Sequence, residues 1–162
     1  MNREHRYEVE IVWTGNRGSG TSAYTAYGRD HELRVSGKSV IAGSSDPSFR
    51  GDVGRWNPEE LLVASVSACH KLWYLHLCAN AGVVVTSYVD QAEGIMIEED
   101  GGEGQFASVV LRPKVMISPE SDTDLARRLH KAAHEMCFIA RSVAFPITHE
   151  AVVVAAHAPA LE

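Results

Sequence analysis

The segment from Pro58 to Ala79 constrains the fold more than any other part of this chain. Asn57 stands where a helix N-cap belongs, Pro58 at the first helical position, and Glu59 and Glu60 in a first turn that favours acidic side chains. Gly82 follows as a terminator. The middle of the segment is apolar or small on nearly every side (Leu61, Leu62, Val63, Ala64, Val66, Ala68), so this helix is expected to lie buried. It does not read as membrane-spanning, because Glu59, Glu60, His70, Lys71 and His76 interrupt the run of about 20 apolar residues that a bilayer requires. A chain of 162 residues with 45% hydrophobic content builds one core around such a helix, and a single domain over residues 1–162 is expected.

Around that helix the periodicity alternates between strand and helix. Tyr7 to Trp13 has the two-residue period of a strand with one face buried. Thr21 to Tyr27, Glu32 to Ser36 and Ser39 to Ala42 read as further short strands, so the first third is expected to be an antiparallel meander. Gly43 to Trp56 carries enough turn formers to read as the longest loop, of a kind that often covers a site. Val83 to Glu98 and Gln105 to Ile117 read as two longer strands, Ser118-Pro119 as the start of a second helix, and Ala151 to Ala156 as a last strand. The apolar stripe of that second helix is expected at Leu125, Leu129, Ala132 or Ala133, and Met136, with Cys137 just past its last turn. Antiparallel strands with two helices make the class α+β.

A formal charge of −6 with scattered basic residues gives no attraction to nucleic acid or to anionic membranes. The opening Met1-Asn2-Arg3-Glu4-His5-Arg6 has no apolar signal segment, and a cytoplasmic location is expected. Three cysteines without CxxC spacing exclude a disulfide framework or a zinc ribbon. Cys69 and Cys137 stand in two separate helical contexts and suggest a redox pair, whereas Cys78, nine residues past Cys69, points to another side of the same helix and reads as core. His70, His76 and His134 with the cysteines are the competing idea, a metal site, but no pair has a finger or ribbon spacing, and the reading is that no metal and no cofactor is held.

Four pieces in order carry a family resemblance: the Gly28-Arg29-Asp30 turn, Asn57-Pro58-Glu59-Glu60-Leu61-Leu62, Cys69 ten residues after Glu59, and Ala133-His134-x-x-Cys137. Together they resemble the OsmC/Ohr family of thiol-dependent hydroperoxide reductases. The resemblance implies antiparallel sheets around two central helices in an intertwined homodimer, with sites at the subunit interface. It implies Cys69 as peroxidatic and Cys137 as resolving cysteine, Arg29 and Glu59 beside the reactive sulfur, a hydroperoxide substrate, oxidative-stress defence, and a dithiol reductant such as a lipoyl-type one. In many members a proline follows the second cysteine; here Phe138-Ile139-Ala140-Arg141-Ser142 follows, as in another branch.

The chemistry fits independently of the family. A free thiol with pKa near ~8.5 is mostly protonated at neutral pH, so attack on an O–O bond needs a partner that stabilises the thiolate. An arginine supplies permanent charge and several donors, and a carboxylate orients it. Arg50 and Arg55 in the long loop could stand in for Arg29. Glu59 and Cys69, ten residues apart, lie about 15 Å apart on one straight helix, so either the chain bends or the Glu59 that serves a given Cys69 comes from the partner chain. Trp56, Trp73 and Phe138 would suit an apolar peroxide tail. The alternative is a protein that binds a lipid or small molecule, with the cysteines kept for packing.

Overall fold

A computed structural model of the protein describes residues 3–156; Met1 and Asn2, and the end of the expected 1–162 domain, lie outside that span. The chain divides into two compact units, Met1–Leu61 and Leu62–Glu162.

In the first unit β1 (Glu10–Trp13), β2 (His31–Arg34) and β3 (Ile41–Gly43) form the expected antiparallel meander, with Trp13 opposite His31 and His31 opposite Gly43. The first strand starts at Glu10 rather than Tyr7. Thr21 to Tyr27, expected as a strand, is a series of turns: Ala26 N–H donates to the Ala23 carbonyl, and Gly28 N–H to the Gly15 carbonyl at 2.8 Å. Gly15 permits this approach, because a Cβ there would run into the Gly28 carbonyl. The long loop contains one short 3₁₀ turn, Pro47–Phe49, capped by Asp46.

The main helix, α1, runs Pro58–Asn80. Its start is a capping box: Glu60 N–H donates to Asn57 Oδ1 at 2.7 Å, and Asn57 N–H to Glu60 Oε2 at 3.1 Å. Its end is a Schellman turn, with Gly82 at φ 73°, Val83 N–H on the Cys78 carbonyl and Gly82 N–H on that of Ala79. Length and hydropathy alone would let α1 cross a bilayer. Within the chain one face of it packs against the core.

In the second unit two three-stranded sheets take up the chain, β4–β7–β9 and β5–β6–β8 in strand order. The strands are β4 (Val85–Asp90), β5 (Glu93–Glu98), β6 (Gly104–Leu111), β7 (Pro113–Ile117), β8 (Ile147–His149) and β9 (Val152–Ala155). The two long strands expected from sequence are each cut in two, and the halves go to different sheets. Asp90 sits at both cuts: its carboxylate accepts the Arg112 N–H at 2.7 Å and the Ser67 hydroxyl at 2.5 Å, and Pro113 has no N–H to offer a ladder. The short β8 and β9 pair parallel to β6 and β7, which brings the C-terminal segment back beside the two sheets.

The second helix, α2, spans Thr123–Met136. It starts later than Ser118 because Ser118 to Ser121 forms a turn whose Ser121 hydroxyl accepts the Val84 N–H, and Asp122 then caps Leu125 N–H at 2.9 Å. Its fully buried residues are Ala126, His130 and the expected Ala133, with the expected Leu125 and Leu129 half-buried against the same core; Met136 is exposed. The half of α1 around Tyr74 and Cys78 packs with Val83, Val115, Ile117, Ala126, Ala133 and Val153, and the half around Val66 packs with Val109, Leu111 and Ile147. Only the stripe Val66, His70, Tyr74, Cys78 is buried within the chain. The all-round burial expected of α1 is therefore corrected: Leu72 is 62% exposed.

Candidate active site

Cys69 lies on α1, one residue before the buried His70, and is half-buried; Cys137 caps the C-terminus of α2 and is 1% exposed. The two thiols lie close to one another, and all three cysteines are free thiols. Burial pushes the Cys137 thiol up to about 11, opposed by the Ala140 N–H, which donates to its sulfur at 3.4 Å. The neighbouring Cys69 thiol raises it further. Sequence alone places Cys137 past a helix end; it does not show that the backbone after it turns into a short 3₁₀ segment, Ala140–Ser142, and returns an N–H to the sulfur. Cys78 packs in the core next to the Tyr74 hydroxyl, and burial raises its thiol as well.

Beside the thiols lies a histidine cluster in which sequence reasoning weighed His70 and His134 and missed His130 and His149. His70 from α1 and His130 from α2 are 1% and 0% exposed, and His70 Nε2 and His130 Nδ1 are 3.1 Å apart. His149 from β8 lies 5.6 and 5.8 Å from their ring centroids, and His134 lies 6.1 Å from His149. Tyr74 stacks on His130 at 3.8 Å. Burial, then His149 and His134, lowers His70 to about 4; burial, then His70 and His149, lowers His130 to about 3. Both rings are thus neutral at pH 7. Of the histidines weighed from sequence, His76 is elsewhere, exposed and bonded to Asn80. The i, i+4 spacing of His130 and His134 was the available signal. Among the described residues no three His, Cys, Asp or Glu side chains are arranged to hold a metal ion.

The other two expected site residues belong to the first unit. Arg29 Nη1 donates to the carbonyls of Tyr24 at 2.9 Å and Tyr27 at 2.7 Å, and its guanidinium carbon lies 4.3 and 4.1 Å from their ring centroids. Arg29 Nη2 is buried and unpartnered, as is Glu59 Oε2. The capping box explains why Glu59 differs from its neighbour: Glu60 is consumed by the helix start, Glu59 is not. Of the two alternative arginines, Arg55 is engaged by Asp30 and Asp52, each at 3.6 Å, and Arg50 is an exposed left-handed residue at φ 66°.

The sequence from residue 51 to 151 matches the family model described as OsmC-like protein. The fold is similar to that of an OsmC-like protein of unknown function from Vibrio cholerae, at 31% identity and a TM-score of 0.80, covering 92% of this chain and 100% of that one. It is also similar to an organic hydroperoxide resistance protein from Elizabethkingia anophelis, crystallised with thiocyanate bound (17% identity, TM-score 0.65, 95% and 100% covered). Another such protein, from Legionella pneumophila, shows the same fold (16% identity, TM-score 0.64, 93% and 98% covered). Comparison with curated protein sequences gives no significant match. The match over most of the chain, together with a mixed α+β fold shared with these structures, shows that the chain belongs to the family of OsmC-like proteins.

Proposed function

We propose that this chain is a thiol-dependent reductase of hydroperoxides, organic ones in particular, acting in oxidative-stress defence. The observation that carries the reading is that a half-buried Cys69 on α1 and a buried, protonated Cys137 at the end of α2 lie beside one another. The Cys69 thiolate attacks the outer peroxide oxygen, the O–O bond breaks, and the alkoxide leaves as alcohol on taking a proton. Cys69 becomes a sulfenic acid. Cys137, on losing its proton, attacks that sulfur and expels water, and a Cys69–Cys137 disulfide protects the site from further oxidation. A small dithiol, of the lipoyl type for instance, then reduces the disulfide and leaves as its own cyclic disulfide.

Arg29, with its unpartnered Nη2, is assigned to the thiolate and the developing peroxide charge, and Glu59 to the orientation of that arginine. The whole chain, residues 1–162, acts as one OsmC-like domain in a cytoplasmic homodimer, with Glu59 supplied by the partner chain. Exposed apolar side chains such as Leu72 on α1 support a partner surface.

The test is peptide mapping under non-reducing conditions after one equivalent of cumene hydroperoxide, with a hydrogen peroxide sample beside it and the oligomeric state measured by light scattering. A Cys69–Cys137 peptide forming within seconds, faster with the organic peroxide and absent in Cys69→Ser, is expected. Two unmodified thiols after minutes would leave lipid or small-molecule binding as the reading. Full turnover by a monomer would remove the partner-chain role of Glu59.

A further inference from the structure

Two tyrosines of the turn series have no part in the chemistry above, yet both are spent on one side chain. Tyr24 is 60% exposed, an unfavourable place for a large ring unless it covers something. What it covers is the Arg29 guanidinium, 4.3 Å from its centroid, while Tyr27 lies 4.1 Å away on its own contact. Distances of this size place the cation well within the range where a ring face attracts it. The backbone completes the hold, because both Nη1 hydrogens are taken by the carbonyls of the same two tyrosines. Tyr27 is itself fixed: Trp13 packs on it edge to face at 5.9 Å, and Trp13 Nε1–H donates to the Gly28 carbonyl at 2.9 Å. The guanidinium is left with one buried, unpartnered nitrogen, Nη2. An arginine held on its ring contacts and at one nitrogen has only its remaining edge to offer to an anion.

We propose that Tyr24 and Tyr27 are positioning residues: they clamp Arg29 so that its Nη2 edge is preset for the thiolate and peroxide oxygen. This rests on the reductase reading given above and names two residues that sequence reasoning placed in a strand. The ring faces are the active part, not the hydroxyls, so Tyr→Phe retains the clamp and Tyr→Leu removes it. The carbonyl bonds come from the backbone and survive in every variant.

The experiment uses the full chain as Tyr24→Leu, Tyr27→Leu, Tyr24→Phe and Tyr27→Phe. It follows phenylglyoxal labelling of the Arg29 peptide by mass spectrometry, and cumene hydroperoxide reduction as kcat/KM. Each leucine variant is expected to label Arg29 roughly tenfold faster and to lose roughly tenfold in kcat/KM, while the phenylalanine variants match the parent in both. Circular dichroism and the phenylalanine variants separate this from misfolding. Labelling at the parent rate in the leucine variants overturns the clamp, and so does faster labelling with undiminished turnover. If the parent protein reduces no peroxide, the reductase reading falls, and labelling alone decides whether the clamp holds Arg29.

Discussion

Cys137 carries the sharpest contrast among the single residues. Its position after a helix was readable from the spacing of Leu125, Leu129 and Met136, but its 1% exposure and the Ala140 N–H on its sulfur depend on the turn that follows. With burial holding its thiol near 11, Cys137 is mostly protonated at neutral pH and slow with an external alkylating reagent. Iodoacetamide at pH 7 to 8 is therefore expected to label Cys69 ahead of Cys137, and mass mapping of the two peptides checks the order. In Cys137→Ser, one equivalent of hydroperoxide should leave a Cys69 sulfenic acid that dimedone traps, where the parent protein gives the disulfide. Arg29 and Glu59 were readable only through the family motifs. In the structure Glu60 is the carboxylate that reaches back to Asn57 N–H, which leaves Glu59 free of the cap.

Among the elements, helix starts and stops were the most readable, because capping is chemistry between near neighbours. Asn57, Pro58 and Gly82 marked the ends of α1 to within a residue. Replacing Asn57 with alanine leaves Glu60 N–H without its acceptor, and a loss of about 1 kcal/mol is expected, read as a lower urea midpoint at unchanged slope. Strand ends were readable only in part. The apolar alternation runs on through Gln105 to Ile117, yet the strand is cut at Arg112, whose N–H goes to Asp90 twenty-two residues earlier. No local pattern encodes a partner that far away. The three-residue β8 is likewise too short for any period, and it exists because β6 offers an open edge beside it.

For the molecule as a whole, burial of neutral histidines sets the pH response. His70 and His130 bind protons near their ordinary value of 6.5 in the unfolded chain but near 4 and 3 in the folded one. The unfolded state therefore takes up more protons below pH 6.5. Stability is fully present above that pH and falls by a few kcal/mol, in order of magnitude, as the pH drops toward 4. Urea midpoints at pH 7.5, 6, 5 and 4.5 should trace this fall, and a His70→Leu, His130→Leu double variant should flatten it between pH 6.5 and 5. His134, His149 and Tyr74 line the same cluster and keep it from accepting charge without opening. By itself the sequence determined the class α+β, the central helix with its caps, the meander and the order of the family motifs, because period and capping act over a few residues. Only the tertiary structure decided which thiol is buried, that the two thiols lie side by side, which histidines meet, where the long strands break between two sheets, and that Tyr24 and Tyr27 turn to face Arg29. Those outcomes depend on groups brought together from distant points of the chain, where burial and hydrogen-bond partners replace local preference as the deciding energies.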